Sequence, residues 1–109
     1  MTKMFAVLAE DNRRRILDLL IERDRPVGDL VEALAISQPA VSKHLRVLRE
    51  AGLVEATRQA QQRVYRVRPN PLQSVDAWLA PYRRRWSDRL DALEQHLDTM
   101  PDDPGAHDG

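Results

Sequence analysis

Residues 29–53 read Asp-Leu-Val-Glu-Ala-Leu-Ala-Ile-Ser-Gln-Pro-Ala-Val-Ser-Lys-His-Leu-Arg-Val-Leu-Arg-Glu-Ala-Gly-Leu. Leu30, Val31 and Leu34 recur at the spacing of one buried helical face, which predicts a short helix over 27–34. Ala35 and Ile36 make a turn. Ser37 then stands where its hydroxyl can satisfy a free backbone donor. Pro39 falls in the first helical turn, where a missing N–H costs nothing. A second helix is therefore expected from Gln38 to about Ala51, and Gly52 supplies the left-handed residue that stops it.

On a wheel of ~100° per residue with Val41 at zero, Leu45 and Leu48 lie within ~40° of it and define the core side. Ser42, Arg46, Pro39 and Lys43 fall between ~100° and ~200°, on the opposite side, with Gln38 and Arg49 between the two groups. The outer arc thus carries an amide, a hydroxyl and cations. Those groups read DNA: Gln pairs with adenine, Lys or Arg with guanine, and Ser with several edges. Gln38 and Ser42 lie toward the end of the helix that enters a major groove. Lys43, Arg46 and Arg49 suit phosphates as well as bases. An ordinary surface helix also carries Lys and Arg, and it is the combination with a preceding helix and a serine cap that favours a reading head. His44 falls near ~300°, beside the apolar face, where a histidine is more often an edge-of-core residue than a base reader.

Working outward, residues 4–9 are expected to form a first helix with Phe5 and Leu8 on one side. Asp11 is expected to cap a second helix over 12–22, with Ile16, Leu17, Leu19, Leu20 and Ile21 as a broad apolar face. Asp24-Arg25-Pro26 ends it, since proline disfavours helical geometry in the residue before it. After Gly52 the period changes to two. Val54, Ala56 and Arg58 alternate with Glu55, Thr57 and Gln59, and a second β-like run covers 64–67. The tip at 59–62 lacks the Gly or Asn of tight hairpins, so a longer, mobile loop is expected. Asn70 and Pro71 open a last helix over about 71–98. Leu72, Val75, Leu79, Tyr82, Trp86, Leu90, Leu93 and Leu97 recur at spacings of three and four along it, a pattern for packing against another helix. Pro81 must kink or split it. The fold class is mainly α with one small β-hairpin. Residues 1–99 are expected to form one domain, with dimerisation helices at about 4–9 and 71–98, and 100–109 a disordered tail rich in Asp, Pro and Gly.

The chain has 109 residues, no cysteine and no net charge. One domain is the expectation, disulfides and thiolate metal sites are excluded, and the neutral total hides a segregation. Residues 1–68 hold 13 Lys and Arg against 9 Asp and Glu, residues 37–68 hold 7 against 2, and residues 69–109 hold 4 against 8. A basic centre between neutral and acidic segments suits a polyanion-binding face. The apolar stretch 4–9 is too short for a signal peptide, and nothing approaches the length of a membrane span, so the cytoplasm is expected, with no membrane partner. His44, His96 and His107 lie in separate segments, and there is no phosphate loop or nucleophile motif, so no enzyme is expected.

The run 36–54, preceded by Arg14-Arg-Ile-Leu-Asp-Leu-Leu20 and followed by Gln62-Arg-Val-Tyr-Arg-Val67, resembles the ArsR (arsenic-repressor) family of bacterial winged helix-turn-helix repressors. The likeness covers residues 4 to about 70. It implies a homodimer on an inverted-repeat operator of double-stranded DNA, with Gln38, Pro39, Ser42, Lys43 and His44 presented to the major groove. It also places Gln61, Gln62 and Arg63 at a wing tip near the backbone or minor groove. Metal-sensing members carry a Cys-x-Cys pair where this chain has Pro26 and Gly28, and others carry Asp and His ligands on the last helix, where only His96 is available. Asp88, Asp91 and His96 are not at an obvious chelating spacing, so no metal or cofactor is expected. The paired tryptophans, Trp78 and Trp86, resemble those of the family's non-metal subgroup. With Tyr82 they invite two readings, a dimer core or a pocket for an organic effector, and the first is favoured. Any effector is unknown. A metal- or small-molecule-responsive derepressor of the same family, a protein-interaction module and a non-specific DNA binder are the competing functions.

Overall fold

A computed structural model describes residues 2–99; the tail read as disordered, 100–109, lies outside the described residues. The elements run α1 (Thr2–Leu8), α2 (Asp11–Glu22), β1 (Arg25–Pro26), α3 (Val27–Leu34), α4 (Gln38–Glu50), β2 (Val54–Gln59), β3 (Gln62–Val67) and α5 (Asn70–Thr99). The chain divides into two compact units within the stretch 1–99: the winged helical unit ends at Val75, and the remainder of α5 from Asp76 forms the second.

The winged unit is organised around one apolar cluster. Ile16 and Leu20 of α2, Leu30 and Leu34 of α3, Val41, Leu45 and Leu48 of α4, Leu53, Val54 and Tyr65 are its buried members. On α4 the three core residues keep the four-then-three spacing of a single helical face, which forces Ser42, Lys43, Arg46 and Arg49 outward. Burying each large aliphatic side chain stabilises the fold by ~1.5–3 kcal/mol, enough to fix which way α4 faces.

Local chemistry sets the boundaries. Ser37 caps α4, its Oγ accepting from the Ala40 N–H at 3.3 Å, with Pro39 in the first turn. At the other end Leu53 N–H donates to the Leu48 carbonyl and Gly52 N–H to that of Arg49, both at 2.9 Å, while Gly52 sits at φ +76°. This is a Schellman stop, and only a residue without a Cβ enters that φ freely. Ala35 adopts φ 55° in the turn between α3 and α4.

Several expectations are corrected. Glu10, not Asp11, precedes α2 as its cap, accepting from Asn12 N–H at 3.4 Å, and Asp11 is the first residue of the helix. A third strand, β1, joins the hairpin: Arg25 pairs with Tyr65 and Pro26 with Val64, giving the antiparallel order β1-β3-β2. Proline is tolerated there because the strand is at an edge. The hairpin tip is tight, not a longer loop. Gln59 pairs with Gln62, and Ala60 takes φ 53°, the role a glycine usually fills. α5 runs unbroken from Asn70 to Thr99 with Pro81 inside it, so the proline does not split the helix.

Arg25 locks the end of α2. Its Nε donates to the Leu19 carbonyl at 3.0 Å and its other end pairs with Glu22 at 2.8 Å, while the side chain is only 11% exposed. A cation on the last carbonyls opposes the negative end of the helix dipole.

Candidate nucleic-acid interface

The outer face of α4 meets the hairpin across a cleft of about 360 Å³, lined by Pro39, Ser42, Lys43, Arg46, Arg49, Arg63 and Tyr65. Four cations and two hydroxyls face this space, and no carboxylate is among the lining residues. A second cleft, of about 460 Å³, lies between the start of α3, the start of α4 and the wing tip. It brings Gln38 together with Gln61, Gln62 and Arg63, alongside Pro26, Gly28 and Asp29. Ser42, Arg63 and Tyr65 line both. The strand register explains the juxtaposition. Arg63 and Tyr65 alternate with Gln62 and Val64, so they share the face of β3 that carries Val67 opposite core residue Val54.

Of the residues singled out from the sequence, Gln38, Pro39, Ser42, Lys43, Arg46, Arg49, Gln61, Gln62 and Arg63 therefore line two adjoining clefts. Ser37 is exposed and engaged as the cap of α4. His44 stands apart from both clefts: it is half-buried, and its Nδ1 is buried with no hydrogen-bond partner. Tyr65 was given no role by its position in the sequence. It is 7% exposed, belongs to the core cluster and yet lines both clefts, an aromatic floor between reading helix and wing. Its alternation with Arg63 was the available signal.

The basic central stretch is not uniformly available. Arg66 pairs with Glu55 at 2.8 Å and Arg68 approaches the same carboxylate at 3.7 Å. Lys43, Arg46, Arg49 and Arg63 make no ion pair among the described residues. Positive charge is thus concentrated on the cleft side of the wing.

The residues read as a dimer interface divide into two groups. Leu8 and Leu72 pack partly against the core of their own chain, Val75 is half-buried and Phe5 is 40% exposed. Along the second unit Leu79, Tyr82, Trp86, Leu90, Leu93 and Leu97 are all exposed, Trp86 the most at 69%. The rings of Trp78 and Tyr82 stack tilted at 42° with centroids 5.0 Å apart, one turn of helix from each other. Among the described residues no group of three His, Asp or Glu side chains is placed to hold a metal ion, Asp88, Asp91 and His96 included. No helix of the described residues is long and apolar enough to cross a membrane.

Comparison with known proteins places this geometry. The family model described as "Bacterial regulatory protein, arsR family" matches residues 10–56, from the cap of α2 into β2. The transcriptional repressor SdpR of Bacillus subtilis is 34% identical over 79 residues, which are 72% of this chain and 88% of that protein. The HTH-type transcriptional regulator Rv2034 of Mycobacterium tuberculosis is 35% identical over 101 residues, 93% of this chain and 92% of that one. Among solved structures, an ArsR-like transcriptional regulator from Rhodococcus sp. RHA1 superposes with a TM-score of 0.67 at 30% identity, covering 91% of this chain and 93% of its own.

Proposed function

The chain belongs to the ArsR family of bacterial winged helix-turn-helix regulators, and from that premise we propose that it is a homodimeric repressor gripping an inverted-repeat operator between α4 and the wing. The family and these relatives are transcriptional regulators, not enzymes. The observation that carries the reading is the cleft itself, with Lys43, Arg46, Arg49 and Arg63 around one space and no acidic residue among them. Such a surface attracts the regularly spaced phosphates of a nucleic-acid backbone.

In this reading Gln38 and Ser42 address base edges from the leading half of α4. Lys43, Arg46 and Arg49 hold phosphates, and Gln61, Gln62 and Arg63 reach the backbone or minor groove from the wing tip. A second copy covers the exposed stripe on α5. Its leucines and aromatics recur at three and four residues, as a helix-to-helix seam requires, and an apolar stripe of that length is rarely left to water. Pairing through α5 sets two α4 helices against half-sites about 34 Å, or roughly 10 bp, apart. Occupying promoter DNA in the cytoplasm is then sufficient for repression. With no cysteine in the chain, we expect metal ions not to release it.

Selection of bound sequences from a random duplex pool, run once with Zn²⁺ and once with chelator, tests the proposal. A palindrome with half-sites one helical turn apart, the same in both arms, is the expected result. Recovery of no shared sequence at low salt overturns it.

A further inference from the structure

The wing tip carries two features that oppose its own stability. Arg58 on β2 and Arg63 on β3 are direct cross-strand partners, one rung from the turn. Side chains so opposed have Cβ atoms ~4.5–5.5 Å apart, and like charges in that position destabilise a hairpin. The turn beyond them holds Ala60 at φ 53°, a conformation its Cβ disfavours.

The same hairpin matches charge correctly elsewhere. Glu55 and Arg66 are also direct partners, on the opposite face, and they form an ion pair at 2.8 Å. At the tip neither guanidinium makes an ion pair or hydrogen bond among the described residues. Both are exposed, and alternation puts them on the face of the sheet that carries Tyr65. Arg63 lines both clefts; Arg58 stands across from it. Local strain and unmatched charge of this kind collect where a ligand completes the structure.

Two arginines at facing positions of one rung can fork on one phosphate, each offering planar N–H donors to its oxygens. Resting on the DNA-binding reading above, we propose that Arg58 and Arg63 clamp a single backbone phosphate of the bound duplex, and that this phosphate supplies the countercharge the free hairpin lacks. Stability of the hairpin tip and capture of DNA are then thermodynamically coupled. Arg58 becomes a binding residue, which neither helical periodicity nor the wing-tip position had singled out.

Three variants of the full chain test this: Arg58→Glu, which recreates opposite Arg63 the pairing of Glu55 with Arg66; Arg58→Gln, which removes the charge alone; and Gln59→Glu, which adds a negative charge one residue away on the other face. The readouts are the thermal midpoint of the free protein and the affinity for the selected duplex as salt is varied. Arg58→Glu is expected to raise the midpoint by roughly 1–5 °C. It should weaken binding about tenfold or more and flatten the slope of log Kd against log salt by ~0.9, one phosphate contact. Arg58→Gln should raise the midpoint less and weaken binding less, and Gln59→Glu should weaken it least. Wild-type slope and affinity in Arg58→Glu, or an equal loss in Gln59→Glu, overturns the clamp. A midpoint that falls in both Arg58 variants overturns it too. If the wild-type protein shows no salt-dependent binding to any duplex, the DNA-binding reading itself fails; binding by wild type with unaltered Arg58 variants removes this inference alone.

Discussion

Arg13, on α2, donates from Nε to the backbone carbonyl of Val7, at the end of α1, across 2.7 Å. The same guanidinium reaches Ala6 O at 3.3 Å, and Arg14 reaches Leu8 O at 2.6 Å. α1 has no basic residue in its own last turn, so its open carbonyls are satisfied from the next helix. Arg13→Ala is expected to lower the free energy of unfolding by about 1–2 kcal/mol, the scale of a charge-assisted hydrogen bond in a half-buried setting. Urea denaturation should show a lower midpoint with an unchanged slope; an unmoved midpoint refutes the anchoring role.

Gly52→Ala tests the stop of α4. A Cβ there would meet only the Cγ of Pro71, at 3.6 Å, an ordinary contact. The cost is therefore conformational, from φ +76°, and should be ~1–2 kcal/mol. The reverse holds at Ala35, already at φ 55°, where glycine should gain up to ~1 kcal/mol. Chemical denaturation of the two variants should move in opposite directions.

Ser42→Ala combined with Lys43→Ala should abolish operator binding in a gel-shift titration while leaving the dimer intact by sedimentation. Both side chains are exposed and line the cleft, so no packing is lost. Binding at wild-type affinity would remove α4 from the proposed interface.

Leu90→Asp addresses the α5 stripe. Leu90 is 59% exposed in the single chain, so the change should leave secondary structure untouched. Under the proposed pairing it buries a charge without a partner, and sedimentation should report monomer where the wild type is dimeric. Operator affinity should fall with it, because one head then binds one half-site. A variant that remains dimeric relocates the interface.

Much of this architecture is legible in the residues themselves. Val41, Leu45 and Leu48 fix the inward side of α4, Ser37 and Gly52 mark its ends, and the outward cations follow by geometry alone. What escapes is whatever depends on a partner distant in sequence. β1 is two residues long and contains a proline, and only its pairing with Tyr65 and Val64 makes it a strand. The tip at 59–62 looks open until Ala60 accepts a left-handed conformation no propensity favours. With that turn closed, the register becomes definite, and only then do Tyr65 and Arg63 come under Ser42 and Lys43. Glu10 displaces Asp11 as cap by a shift of one residue, and the Asp11 carboxylate pairs instead with Arg14 at 3.2 Å.

Pro26 has two neighbours of different kinds: Val64 across the sheet, and Val27, the first residue of α3, along the chain. One peptide unit therefore joins β1, the strand paired with the hairpin, to the helix pair that presents Ser42. The wing cannot swing freely like a flap on a loose cord. With no loop between β1 and α3, a change that displaces β3 is expected to reach the root of α3 through this pairing.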